Sequence, residues 1–569
     1  MTQSFAAPSC SVEVYPFEGG PFVLGSGQIR SVTVEKSIRG GSVGRARIDL
    51  APGGPFGVES SPTWTEVITP MSHVLIGMSR GDKAAIVLDG VSTRSSEEQD
   101  FRSSIEESGA GRFPVVEVAD FAWFFRTFNW YSLTFLGLTA GAPVGEALGF
   151  APAGIPALLD QGLLGGTGTN QSNPSLVAQR WFDKVMAGQG AILGKTFVPY
   201  NGSRVPFGQA VATTWENYPN AFIPFADYFM AAEESWMDKF MEILPMPWYE
   251  FFVTTAPSGA YAMASGSTGV TSSGATFTMA SQPLALPAGP QLVARINPIP
   301  TLSVTSDTSA QNTSIGTLDV SRWNALPVNE PDPLNSSGAP VFYSSEVTFS
   351  AEAARNFYML NPTAYTSLFG NNNSNNIPFP FSFVGAADPA SVHRYGFRPE
   401  IGTFKWLFDP QGTAGQNADL NIPQSVAALL GKLISWCHPE PLMARGTVTL
   451  PLSPDIMIGT RWRYAPFKDG TLWDFYVETV RHHFVFGGVS TTTLALTRGL
   501  PSSVYSDASS DGVLQAIFTG NAMRMNGAYA SGVPDGTGPA LTTFGSPESI
   551  TTLMGRLANI FVTPQAPGQ

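Results

Sequence analysis

Charge is scarce in this chain of 569 residues. Asp, Glu, Lys and Arg together make up 13%, about half the share usual for a soluble domain. Basic residues are the scarcer sign: 31 Lys and Arg stand against 44 Asp and Glu, a net charge of −13. That balance argues against a protein that grips nucleic acid through clustered cations. It is compatible with an acidic conduit that lets DNA pass without holding it. Cysteine is nearly absent. Cys10 and Cys437 lie far apart, which argues against a disulfide framework and for two free thiols.

The five histidines are His73, His393, His438, His482 and His483. The adjacent pairs Cys437-His438 and His482-His483 do not make a metal set, because neighbours on a strand point to opposite faces. There is no Walker loop, His-Glu-x-x-His helix, Gly-x-Ser-x-Gly elbow or Cys-x-x-Cys pair. No local pattern singles out a carboxylate pair for glycoside cleavage. The expectation is a protein without a cofactor or metal and without an enzymatic site. Long apolar runs are missing as well. The nearest, Thr127–Gly145, is broken by Asn129 and Pro143 and rich in Ser, Thr and Gly. It reads as a buried or interface segment, so no membrane span is expected. The opening MTQSFAAPSC lacks the basic and apolar regions of a signal peptide.

What the chain has instead is turn formers and aromatics: 58 Gly, 46 Pro and 12% Phe, Trp and Tyr, with 43% hydrophobic residues overall. The length exceeds what one core serves, and roughly two to four domains is the expectation. The stretch Arg445–Leu500 is the most patterned. Thr447–Leu450, Ile456–Ile458, Phe475–Val480 and Thr491–Thr497 alternate with a period of two, as half-buried strands do. Turns punctuate them, with no helix between, which reads as a small antiparallel barrel or sandwich. A weaker copy lies near the N-terminus. His73–Gly77 aligns with Asp455–Gly459 through an Ile-Gly and a following Arg, and Ala85–Val91 aligns with Phe475–Val480. The expected fold class is therefore β-rich α+β and multidomain, with two related small antiparallel β-barrels joined by α+β insertions.

In chain order, 1–120 reads as the first barrel, with Arg80-Gly81-Asp82 as an ordinary hairpin turn. Residues 121–340 form an α+β insertion with long loops. Helices are expected at Ser175–Met186 and at Ala231–Leu244, the second with Trp236, Phe240, Met241 and Leu244 as its apolar stripe and Pro245 as its stop. Trp236, Phe240 and Tyr249 are read as the insertion's core. ARINPIP (294–300) and RWNALPV (322–328) read as extended pieces. Residues 341–440 form a connecting α+β segment with a strand at Thr403–Leu407 and a helix at Ser425–Trp436. Residues 441–500 complete the second barrel, with Arg463 and Arg498 expected to fix its ends. Residues 501–569 form a Gly/Ser-rich extension with a late helix at Ser549–Phe561.

The order of these motifs carries a resemblance. SWMDKFMEILPMPWYEFFV is followed by ARINPIP, RWNALP, SSEVTFSAEAARNFYMLNPT and HRYGFRP. Then come the helix ending at Trp436, GTVTL, DIMIGTRWRY, DFYVETVRHHF and STTTLALTRGL. Over roughly Trp64 to Leu500 the chain resembles the baseplate hub proteins of long-tailed bacteriophages, which sit between tail tube and central spike. The resemblance implies two tube-like barrels per chain and a homotrimer whose six barrels make a pseudo-sixfold ring around a DNA channel. It implies as partners the tail tube protein, the central spike, the tape-measure protein and neighbouring baseplate or wedge proteins. It places the protein at the virion tail tip after assembly in the host cytoplasm, with a structural role and no sequence-specific nucleic acid binding. The rival from another class is a secreted or virion-associated carbohydrate-active enzyme or glycan-binding module.

Overall fold

The structure is a computed structural model. It describes residues 7–16, 19–52, 54, 62–99, 112–127, 129–130, 174–182, 197–218, 221–222, 234–256, 268–270, 276–278, 289–306, 313–332, 342–361, 385–387, 389–403, 407–408, 432–506 and 524–525. The expected helix at Ser549–Phe561 lies outside the described residues, as do nearly all of Thr127–Gly145 and the first part of the Ser425–Trp436 helix, whose residues 432–436 are helical.

The protein is β-rich α+β, and one mainly antiparallel sheet of thirteen strands runs through it. In chain order these are β1 (Ser9–Tyr15), β2 (Phe22–Leu24), β3 (Ile29–Ser37), β4 (Arg45–Leu50), β5 (His73–Arg80), β6 (Lys83–Gln99) and β7 (Arg112–Asp120). After a long insertion come β8 (Val328–Asn329), β9 (Ser344–Thr348), β10 (Ala444–Pro451), β11 (Arg461–Tyr464), β12 (Trp473–Val485) and β13 (Thr491–Pro501). The order across the sheet is β2-β1-β5-β6-β7-β4-β3-β12-β13-β10-β9, with β11 on the side of β12 and β8 parallel to β11.

That order contains one unit twice. The first unit runs β3-β4-β7-β6-β5 and the second runs β9-β10-β13-β12-β11, each strand taking the same place in chain order and in the sheet. Finer features repeat too. Thr93 is skipped where β6 meets β7, and Glu478 is skipped where β12 meets β13. Strands β3 and β9 both run into a 3-10 turn, Arg39–Gly41 and Ala351–Ala353. The duplicated hairpins are therefore β5–β6 and β11–β12.

Here the residue alignment expected from sequence is corrected. Ile76-Gly77 lies inside β5, whereas Ile456–Ile458 is not a strand but part of the turn before β11. Pro454 offers no N–H, Ile456 N–H bonds back to Ser453 O at 3.3 Å, and Gly459 sits at φ +74. Both isoleucines are buried, so a turn that drops alternate side chains into the core produced a period of two.

Each unit encloses its own core. In the first, Val32, Ile48, Val74, Ile76, Leu88, Val116 and Val118 come from its five strands and Val12 and Val14 from the adjoining β1, so the sheet curls around them. Trp64 and Ile68 plug that core from a short helix, Trp64–Val67, whose start is held by Thr63 N–H on the Glu66 carboxylate at 2.7 Å. In the second, Val448, Leu450, Ile456, Ile458, Trp462, Phe475, Val477, Val480, Leu494 and Leu496 pack with Ile38, Phe252, Val293 and Trp323. The RWNALPV segment is corrected likewise. Its start is a helical turn, Ser321–Asn324, that sets Trp323 against Tyr476 and Tyr505; burial of that indole outweighs the extended propensity of the flanking residues.

The insertion carries a sheet of Ala212–Trp215, Gly289–Ile296 and Tyr249–Ala256, the middle strand parallel to the first and antiparallel to the third. Helix Trp236–Ile243 packs beside it. It begins five residues later than its amphipathic pattern predicts, because Glu234–Ser235 pairs with Asn129–Trp130 and Ser235 caps the helix.

Candidate assembly interface

The two units meet strand to strand. Strand β3 lies antiparallel to the second half of β12, with Ser37 opposite Thr479 and Ser31 opposite Val485. Backbone bonds extend the pairing past both ends: Ile38 N–H to Glu478 O at 3.0 Å and Phe486 N–H to Arg30 O at 3.0 Å. On the outer face Thr33 Oγ1 and His483 Nδ1 are 2.9 Å apart, Thr479 Oγ1 donates to Ser37 Oγ at 3.0 Å, and the Arg39 guanidinium grips the Glu478 carboxylate. Beneath the seam Lys36 is buried and donates to Thr255 Oγ1 at 3.0 Å. Burial pulls its amine down to about 8, against the opposing pull of Asp120 and Asp89. The same burial pushes the Asp120 carboxyl up to about 7, although Lys36 and the N–H groups of Gly44 and Ala122 favour its charge. His482, beside Lys36, is drawn down to about 3 by burial first and by the Lys36 charge second. Ser453 N–H donates to Thr492 Oγ1, and the Thr492 hydroxyl lies 2.9 Å from His482 Nδ1 and shares a hydrogen bond with it.

A buried charge pair ties the insertion to the second unit. Arg295 Nε donates to Glu250 at 2.8 Å, and Arg295 also donates to Gly459 O and Tyr476 Oη, each at 2.9 Å. The Tyr476 hydroxyl donates to Glu250 at 2.5 Å, and burial, then the Glu250 charge, push that phenol well up. A Cβ at Gly459 would come within 2.5 Å of Arg295 and 2.9 Å of Ile38, so that position needs glycine for space as well as for its positive φ.

The residues singled out from sequence fall into two places. Trp236, Phe240 and Tyr249 are buried in the insertion. Phe240 stacks on Phe251 with centroids 5.1 Å apart and meets Phe125 edge-on, and Trp236 lies against it. The Tyr249 hydroxyl accepts from Tyr218 N–H at 2.8 Å. Arg463 and Arg498 belong to the second unit. Arg463 holds Asp474 by two bonds, of 2.6 and 3.0 Å, at the β11–β12 pairing, and Arg461 shares the same carboxylate. Arg498, at φ +58, lies 3.5 Å over the Trp436 ring and donates to Trp436 O. The structure does not bring the two groups together. Sequence reading missed Glu250 and Arg295; a single charge inside each of two apolar strands, YEFFV and LVARI, was the available signal.

His73 and Asp89 form a buried pair at 2.8 Å, and the other ring nitrogen accepts from Asn201 N–H at 3.1 Å. With both nitrogens engaged and no exposure, this pair pins β5 to β6 and is closed to a substrate. Cys10 and Cys437 are free and buried; burial pushes the Cys10 thiol up to about 12 and the Cys437 thiol further. Among the described residues no helix is long and apolar enough to cross a membrane.

Among the described residues, two of the open strand edges belong to the duplicated units. Strand β9, among the described residues, is bonded on one side only, to β10, and four of its five residues are exposed. Tyr343 and Phe349, which flank it, are each more than half exposed. The second half of β6, Thr93–Gln99, pairs with β7 on one side and, among the described residues, has no backbone partner on the other.

No protein-family model matches the chain, and no curated protein matches it in sequence. In fold it is similar to the tail protein from Neisseria meningitidis MC58, at 10% identity over 86% of this chain and 96% of that one, with a TM-score of 0.42. It is similar also to the 43 kDa tail protein of prophage MuSo2 from Shewanella oneidensis, at 10% identity over 86% and 98%, with a TM-score of 0.38. A third is the E. coli c3393 protein, a component of the type VI secretion system with structural similarity to the T4 bacteriophage tail proteins gp27 and gp5. There the identity is 7% over 83% and 73%, and the TM-score is 0.32.

Proposed function

We propose that this chain is a structural protein of a phage-type tail, the homotrimeric baseplate hub that joins the tail tube to the central spike. The observation that carries the reading is the duplicated five-strand unit, whose two copies join edge to edge within one chain. A chain built this way offers two near-equivalent units per copy, so three copies present six to a sixfold tube and three to a threefold spike. The motif order of the sequence supports the same reading. The partners it calls for are the tail tube protein, the spike, the tape-measure protein and neighbouring baseplate or wedge proteins, at the virion tail tip after assembly in the host cytoplasm. The role is architectural rather than catalytic. The net charge of −13 suits a ring through which DNA moves without sticking. Light scattering on the full chain, alone and with its cognate spike, tests the reading: a trimer that images as a ring is expected, and a stable dimer or a persistent monomer overturns it.

A further inference from the structure

The seam between the two units is complete once per chain, and its parts occur twice. Strand β3 docks on β12 within the molecule. Its counterpart β9 and the counterpart of β12, strand β6, have no such partner among the described residues. We propose that β9 of one copy docks antiparallel on the second half of β6 of the next copy, reproducing between molecules the joint that β3 and β12 make within one. This deepens the hub reading and rests on it.

The chain's own register fixes how the strands would meet. One row across the first unit is Thr33, Arg47, Glu117 and Arg94; the matching row of the second is Glu346, Thr447, Ala495 and Thr479. Arg94 and Thr479 each follow the skipped residue of their strand, so the rows are equivalent. Thr479 faces Ser37, four residues beyond Thr33. Four residues beyond Glu346 is Ser350, which places Ser350 opposite Arg94, Thr348 opposite Ser96 and Glu346 opposite Glu98. Arg39, just after β3, grips Glu478; its counterpart Glu352, just after β9, arrives at Thr93, the counterpart of Glu478, with the 65% exposed Arg94 next to it and Glu117 3.7 Å from that guanidinium.

The edges themselves argue for an occupant. A bare edge is a template for unwanted pairing, and soluble proteins protect it with proline, bulges or charge. Strand β9 pairs with β10 without a register shift and carries no proline and a single charge. Phe349, stacked on Phe467 with one face open, would be covered by the incoming β6 around Ser95. Such a joint uses different surfaces on the two copies, so repeating it closes a ring or builds a fibre.

Engineered cysteines read the register directly. Ile38 bonds to Glu478, so the alternate pair Glu35–Arg481 is a non-hydrogen-bonded one, and its equivalent Thr348–Ser96 has the short Cα separation that a disulfide needs. A full-length chain carrying S96C is mixed with one carrying T348C and oxidised, and light scattering is run alongside. The expected result is a disulfide-linked pair only in the mixture, and a covalent trimer from the S96C/T348C double variant. Replacing T348C by V347C, which turns the thiol to the opposite face, should abolish the link. A trimer without the link, or one that links equally through V347C, overturns the joint and leaves the hub reading standing. Absence of any trimer overturns both.

Discussion

Arg295 and Glu250 show what a buried charge does at the scale of one residue. Each is nearly without exposure; the Gly459 carbonyl and the Tyr476 hydroxyl accept from Arg295, and the same hydroxyl donates to Glu250. Removing one partner leaves an uncompensated charge in the core, so Glu250→Gln is expected to cost about 3–5 kcal/mol. Chemical denaturation measures it, and a loss below about 1 kcal/mol would show that water reaches Arg295. Replacing both by Leu and Met should restore most of the loss. His482 sets a pH limit nearby. Its folded pKa of about 3 lies below the ordinary imidazole value of 6.5, so the unfolded chain takes up a proton that the folded chain refuses. Its effect is absent above pH 6.5 and grows unfavourable as pH falls from 6.5 towards 3. Asp120, raised from 3.8 to about 7, acts in the opposite sense: it favours the fold below 3.8 and loses that contribution as pH rises to 7. The two overlap, so the test is a difference. Against wild type, His482→Gln is expected to become relatively more stable as pH drops below 6.5. A stability difference that stays flat from pH 8 to 4 would place that imidazole in water.

At the scale of an element, strands of the second unit were legible where they bury one face: β13 alternates from Thr491 to Arg498 and β12 from Thr479 to Val485, whereas Asp474–Val477 is buried on both faces. The turn at Ile456–Ile458 was misread for the same reason, since a turn can bury every second residue without pairing. Strand β9 falls inside a run, Tyr343–Leu360, that reads as alternating throughout, and the pattern did not mark its end at Thr348 or the 3-10 turn after it. The strand's burial depends on a partner strand almost a hundred residues away, and most of its side chains face outward. The bulges at Thr93 and Glu478, which made the repeat certain, leave no local composition to read. Helix Trp236–Ile243 was legible through its apolar stripe, and its start was set by pairing rather than propensity. That stripe anchors the insertion, with Phe240 among Phe125, Trp215, Trp236 and Phe251. Phe240→Ala is expected to cost about 3–5 kcal/mol. Hydrogen exchange should show faster opening at Tyr249–Ala256 and no change at β3, which lies in the other core. Equal loosening of both would mean that the insertion and the first unit unfold together.

At the scale of the whole molecule the sign of charge at the open edges becomes decisive. In the register set by β3 and β12, Glu346 of one copy faces Glu98 of the next, and like charges directly opposite oppose pairing. Glu98 is already held by Arg47 at 2.6 Å, which offsets part of the repulsion within its own chain. Glu346 has no ion-pair partner among the described residues. Reversing it is therefore the cleaner change. Glu346→Lys removes the repulsion and adds an attraction, together about 1 kcal/mol per joint at moderate salt. A closed ring of three copies contains three such joints, so the monomer–trimer constant should rise on the order of a hundredfold. The gain should shrink in molar salt, where exposed charges a few ångströms apart are screened. Glu98→Lys should do worse than Glu346→Lys, because it sets a second cation against Arg47 in its own chain. Sedimentation equilibrium of the two variants at low and high salt separates the cases. If Glu346→Lys leaves association unchanged, Glu346 and Glu98 do not face each other, and the copies meet through some other surface.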